Sequence, residues 1–230
     1  MHFQHSSDIW RDFPGLAAGA LLADGITGDA PAGSRIAGHH ATARSRLAGG
    51  PESELPEIRA WRRTFAAMGL KPTQYRCASE SLLRRFKKDG TLPRIHPLID
   101  VCNAISLAFA IPVAVFDLSE VTGFLEVRRA SGEEEHLTFA GQIEHPEPRE
   151  VIFADAAGRA HARRWSNRQS GLSAVRDTTS SVLIVAEALH ATAADDVRAL
   201  LATLTDDLKA LWGAAPETAL LSPRSPRLEW

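Results

Sequence analysis

Two cysteines in 230 residues, Cys77 and Cys102, are too few to staple a disulfide framework. Both lie in segments that read as structured, so they are expected as buried thiols. No stretch approaches the roughly 18 uninterrupted apolar residues of a membrane span. Met1-His2-Phe3-Gln4-His5 lacks the basic-then-apolar layout of a secretory signal, and the expectation is a cytoplasmic protein with no membrane contact. The chain contains no HExxH, no CxxC, no P-loop and no G-x-S-x-G elbow, so a zinc site, a phosphate cradle and a conventional serine hydrolase lack support. His39-His40 does not supply a metal site, because adjacent side chains on a helix point about 100° apart. Neither metal nor cofactor is expected.

What is present is the composition of one soluble globular domain, 44% hydrophobic and 23% charged. The net charge of −2 hides an uneven distribution. Between Arg59 and Arg94 stand ten basic residues, Arg76, Arg84, Arg85, Lys87 and Lys88 among them, against Glu80 and Asp89. That segment carries +8, so the remainder carries −10. A second cluster, Arg163, Arg164, Arg168 and Arg176, has no carboxylate before Asp177. Such asymmetry fits a polyanionic partner, most commonly nucleic acid, or else a solvated helical face with acidic neighbours folded over it.

Hydrophobic spacing predicts a strand near Phe3, a turn at Asp12-Phe13-Pro14-Gly15 and a buried strand over 16–26. The Gly/Ala/Ser-rich stretch 28–50 reads as a helix with loose flanks or a loop. Helices follow from Glu57 to Gly69, from a Ser79 cap to Asp89-Gly90, and over Ile99 to Phe109. Strands are predicted at Val113 to Phe116, at Leu125 to Arg129 paired as a hairpin with His136 to Phe139, and at Val151 to Asp155. Ser180 to Leu189 is a core strand or helix. Val197, Leu200, Leu201, Leu204, Leu208, Leu211 and Trp212 mark an amphipathic C-terminal helix closed by Gly213. The expectation is an α+β fold with mainly antiparallel, sandwich-like sheets packed by helices. Residues 1–213 form one domain, and 214–230 form a flexible tail.

Two constellations carry chemistry. Asp100 and Asn103 share a helical face amid apolar neighbours, where unbonded polar groups are costly, so they cap backbone or line a pocket. Arg163-Arg164-Trp165-Ser166-Asn167-Arg168-Gln169-Ser170 places three guanidinium groups, an indole and several amide or hydroxyl groups together. These suit phosphate or carboxylate contacts, stacking and polar recognition.

His96-Pro97-Leu98-Ile99-Asp100-Val101-Cys102-Asn103, Ile111-Pro112-Val113-Ala114-Val115-Phe116-Asp117-Leu118, Gly123 with Val127-Arg128-Arg129-Ala130, and Phe153-Ala154-Asp155 follow one another in order. This series resembles the B3/B4 domain of the phenylalanyl-tRNA synthetase β subunit. With Phe13-Pro14-Gly15, Trp61-Arg62 and Arg163 to Ser170, the chain resembles the freestanding B3/B4-domain proteins from about Phe13 to Leu189. In the synthetase this domain hydrolyses the ester of tRNA charged with tyrosine in error. The resemblance therefore implies a trans-acting aminoacyl-tRNA deacylase cleaving a mischarged tRNA, or a module that binds a tRNA end, an amino acid or a small carboxylate without turnover. Asn103 matches the family's polar Asn beside the substrate, and Cys102 stands where the family has Thr. Apolar Ala114-Val115 replaces the histidine before Phe-Asp. The late acidic position falls at Val185 or Ala186, with Glu187 offset from it. On this reading Asn103, then Asp117, orients water. Cys102, Arg164, Trp165, Asn167, Arg168, Gln169 and Ser170 hold the charged end, and Arg76, Arg84, Arg85, Lys87 and Lys88 track the tRNA backbone.

Overall fold

A computed structural model describes all 230 residues. The chain opens with β1 (His2–His5), α1 (Ser7–Asp12) and β2 (Ala17–Ala23). Four helices follow: α2 (Gly33–Ala48), α3 (Pro56–Ala67), α4 (Ala78–Asp89) and α5 (Pro97–Phe109). The strand-rich middle comprises β3 (Val113–Asp117), β4 (Phe124–Arg129), β5 (His136–Leu137), β6 (Ile143–Glu144), β7 (Val151–Asp155), β8 (Ala160–Arg163), β9 (Arg168–Gln169) and β10 (Val182–Ala188). α6 (Ala193–Trp212), β11 (Glu217–Leu221) and β12 (Arg227–Glu229) close the chain. No helix is long and apolar enough to cross a membrane.

The fold is α+β. One sheet has the order β12-β1-β4-β7-β8-β9, a second β11-β2-β10-β3, and β5-β6 is a separate ribbon. Every strand pair is antiparallel except β1 with β4. Alternation along β10 explains the layering. Leu183 and Val185 point into an aromatic-rich core with Phe3, Trp61, Phe116, Phe153 and Trp165, which lies between the two sheets. Val182, Ile184, Ala186 and Ala188 point the other way, into a core built with α5 and α6. A strand buried on both faces has no polar face to show, which is why strand and helix both fitted its sequence.

α6 packs so closely on β2 that a Cβ on Gly19 would lie 2.7 Å from Val197 Cγ1. α4 and α6 end on left-handed glycines, Gly90 (φ 72) and Gly213 (φ 66), as their turn signals predict. The N-cap of α4 is Cys77 rather than Ser79, which lies inside the first turn and is fully buried.

Two expectations are corrected. β4 does not pair back with the strand at His136. The buried Glu134 carboxylate accepts from the N–H groups of Ser131 and Gly132 and pairs with Arg128, turning the loop away so that β4 joins β1 and β7. Residues 214–230 are not a free tail. β11 pairs with β2 and β12 with β1, each as an edge strand, and the Trp230 N–H donates to Met1 O at 3.0 Å. Short edge strands need only backbone pairing, so they leave little hydrophobic pattern to read.

Candidate functional site

Where the two sheets converge beside the start of α4, a cavity of about 60 Å³ is lined by β3 (Pro112 just before it, Val113, Ala114), Phe153, Ala162, Val185, Glu187 and Trp165 to Gln169. That is room for about two waters. Its walls are largely apolar, and Glu187 is its one carboxylate. The residue lies two positions after Val185 on the same face of β10, 4% exposed. Oε1 accepts from His5 Nε2 at 2.7 Å and from Trp165 Nε1 at 2.9 Å, and the main-chain oxygen accepts from Trp61 Nε1 at 3.3 Å. Oε2 has no hydrogen-bond partner in the protein, and Glu187 is part of the cavity lining. The carboxylate is thus fixed at one oxygen and available at the other. Glu187 was not among the predicted site residues. The available signal was a lone charge within the apolar run Val182 to Ala188, since a charge there must be paired or used.

The segment 163–170 folds in an unusual way. Arg164 (φ 47) and Trp165 (φ 56) are consecutive left-handed residues, a conformation uncommon without glycine. The reversal carries Trp165 inward, where it is fully buried and packs edge-on against Trp61 at 5.1 Å and Phe13 at 4.9 Å. The expected stacking platform is therefore a core residue whose N–H positions Glu187. Asn167 Nδ2 donates to Arg76 O, and Gln169 Nε2 donates to Val115 O. Each amide retains a second N–H. Ser170 is buried and donates to Leu137 O, outside the cavity lining. Arg168 is held by the Glu144 carboxylate at 2.8 and 3.2 Å, whereas the Arg164 guanidinium lies 4.7 Å over the Tyr75 ring and has no acidic partner.

Other predicted residues lie elsewhere. Asp100 and Asn103 do share a helical face, but it lines a different cavity of about 110 Å³ with Ile36, His40 and Arg94, and that cavity has no residue in common with the first. Asp117 caps the turn at 118–120, accepting from the Ser119 N–H and hydroxyl and from Thr179. Cys102 packs in the α5–α6 core. Burial pushes its thiol pKa up, and that of Cys77 up to about 11, which disfavours the thiolate a nucleophile needs, and Cys77 Sγ contacts the Ser79 hydroxyl instead. Asn103→Ala is accordingly expected to leave any turnover in the first cavity within about twofold of wild type, measured as initial rate, because it touches nothing there.

The basic segment is partly neutralised. Arg84 and Lys87 approach Glu52 at 3.0 and 3.7 Å, Arg85 pairs with Asp89 at 3.7 Å, and Arg76 with Glu80 at 3.4 Å. Lys88, Arg59, Arg63 and Lys71 have no ion pair. Only the Arg85–Asp89 pair is exposed on both sides and therefore weak, whereas Glu52 and Glu80 are buried carboxylates that hold their partners. α4 starts at the cavity, where Ala78 lines the wall, and runs about 15 Å to Lys88.

Two other features look more like chemistry than they are. Ser173 Oγ lies 2.8 Å from His161 Nδ1, and His161 Nε2 lies 3.3 Å from Asp155, but all three are at most 2% exposed and substrate has no approach. The largest cavity, about 700 Å³ between β1, α1 and Pro223 to Arg227, contains no predicted site residue.

Residues 60–205 match the B3/4 domain family model. The chain belongs to the B3/4 domain family. Within this B3/4 protein, 91 residues are 34% identical to the phenylalanine–tRNA ligase β subunit of Shewanella oneidensis, covering 39% of this chain and 11% of that one. For the same subunit of Cereibacter sphaeroides the identity is 28% over 93 residues, 40% of this chain and 11% of the other. The chain thus spans about a tenth of the length of these relatives. An N-terminal fragment of the phenylalanyl-tRNA synthetase β subunit from Pyrococcus horikoshii aligns with 93% of this chain and 49% of its own, at TM-score 0.48 and 9% identity.

Proposed function

We propose that the Glu187 cavity is a hydrolytic site for the ester of a mischarged tRNA, making this B3/4 protein an aminoacyl-tRNA deacylase that acts in trans. The observation that carries the reading is the buried Glu187 carboxylate, clamped at Oε1 by two N–H donors and open at Oε2 in an apolar cavity. An aminoacyl ester is already activated, so the site needs a positioned water and donors near the developing oxyanion more than a strong base. Glu187 Oε2 accepts a hydrogen bond from that water and takes its proton as oxygen attacks the carbonyl carbon. The second N–H groups of Asn167 and Gln169 face the oxyanion. The ester C–O bond then breaks, and the proton passes to the leaving ribose hydroxyl. Arg164, free of acidic partners, holds a terminal phosphate, and α4 leads the RNA backbone away from the mouth.

A panel of mischarged tRNAs incubated with purified protein tests this by release of free amino acid. A panel left wholly intact at enzyme well above substrate rejects it. Charge reversal at Lys87 and Lys88 is expected to weaken tRNA binding and reduce the slope of log affinity against log salt by about 2, measured by filter binding at several ionic strengths.

One observation favours a second reading, a binding module without turnover. Apolar Ala114-Val115 stands where the family resemblance places a histidine, and no histidine lines the cavity, the His5 imidazole being engaged with Glu187 Oε1. Saturable tRNA-end binding, lost in Arg164→Ala and unaccompanied by hydrolysis, distinguishes this reading from the first.

A further inference from the structure

A cluster with unsatisfied metal-ligating atoms lies outside the cavity, where α3, the end of β10 and α6 meet. Glu57, in the first turn of α3, and His190, two residues beyond β10, are each 7% exposed. Asp196 stands in the first turn of α6. One ligand atom from each of the three lies within 4.8 Å of the others. Glu57 Oε1 accepts from Arg46 Nη2 at 2.6 Å. His190 Nε2 lies 2.7 Å from Asp196 Oδ2, which also accepts from the Thr192 hydroxyl. Glu57 Oε2 and His190 Nδ1 remain, both buried and both without a hydrogen-bond partner. With a carboxylate at Nε2, that nitrogen carries the proton and Nδ1 presents its lone pair. Two buried lone-pair atoms in one cluster that no donor meets call for a Lewis acid or a water.

We propose that this cluster is a divalent transition-metal site. Glu57 Oε2 and His190 Nδ1 are the protein ligands, and Asp196 orients the imidazole from its far nitrogen, an arrangement common behind metal-bound histidines. Solvent completes the coordination, entering past Asp196, whose side chain is 39% exposed. One imidazole and one carboxylate, without sulfur, favour zinc over manganese, and they disfavour magnesium and calcium, which take oxygen ligands. The three residues come from positions 57, 190 and 196, so no local motif announces them. The site joins the start of α3 to the end of β10. Trp61, one helical turn along α3, donates to the main chain of Glu187, so metal binding braces the back of the cavity.

The test uses the full chain, stripped with a chelator and titrated separately with zinc and manganese chloride by calorimetry and thermal unfolding. We expect one zinc equivalent per chain, bound more tightly than manganese, raising Tm by roughly 5–10 °C at a hundredfold excess over Kd. His190→Ala abolishes that equivalent, Asp196→Asn weakens it about 10- to 100-fold, and His39→Ala retains it. Glu57→Gln also breaks the Arg46 ion pair, so circular dichroism confirms that each variant is folded before titration. Absence of a zinc equivalent, manganese binding as tightly as zinc, or an equivalent that survives in folded His190→Ala overturns the proposal. None of these outcomes depends on hydrolysis, so the metal site and the deacylase reading fail separately.

Discussion

Glu187→Gln is expected to lower deacylation about 10²- to 10³-fold, the range lost when a positioned proton acceptor is removed. The affinity for charged tRNA should change less than about threefold, since phosphate and backbone contacts carry affinity. Glutamine keeps the shape and one carbonyl oxygen, which still accepts from Trp165 Nε1. The same oxygen accepts from His5 Nε2, so both hydrogen bonds of the clamp are kept when the carbonyl occupies the Oε1 position. The variant should therefore fold, and thermal unfolding checks that it does. Glu187→Ala also removes the partner of two buried N–H groups and should unfold at lower temperature, confounding the rate. Single-turnover hydrolysis under saturating enzyme isolates the chemical step. Unchanged turnover in folded Glu187→Gln removes the carboxylate from the mechanism. Lost binding with no turnover in either protein favours the non-catalytic module.

How much of this was legible in the sequence differs by feature, for physical reasons. The C-terminal amphipathic helix and its glycine stop were readable because one face of α6 repeats Leu and Val at helical spacing, and Gly213 sits in the left-handed cap. Asp100 and Asn103 were correctly placed on one face of α5. Which cavity that face lines depends on how α5 packs, and periodicity does not contain that information. The +8 segment was a true count, yet Glu52, seven residues upstream of its first arginine, folds against Arg84 and Lys87. Charge summed along a chain misses carboxylates that return through space. Glu187 was seen only as an offset from a family position. Its importance comes from the three N–H groups of His5, Trp61 and Trp165, which converge on it from three distant segments.

Trp165→Ala is expected to destabilise the protein by about 3–5 kcal/mol, the cost of emptying a fully buried indole site. For a chain of this size that corresponds to a Tm lower by roughly 10–15 °C, measured by calorimetry. The ring fills the junction of Phe13, Trp61 and the inter-sheet core, and its N–H supplies half of the clamp on Glu187 Oε1. Trp165→Phe separates these contributions. It preserves most of the volume and removes the N–H, so stability falls by only about 1–2 kcal/mol. Turnover should nevertheless fall, because the Glu187 carboxylate is then held by His5 alone and its free oxygen is less well aimed. A stacking residue at the mouth, as the basic sequence context suggests, predicts the reverse: Trp165→Phe retains ring stacking and activity, and Trp165→Ala costs affinity while leaving Tm nearly unchanged. Tm and the single-turnover rate together decide which it is. The two consecutive left-handed residues that turn Trp165 into the core favour the first result.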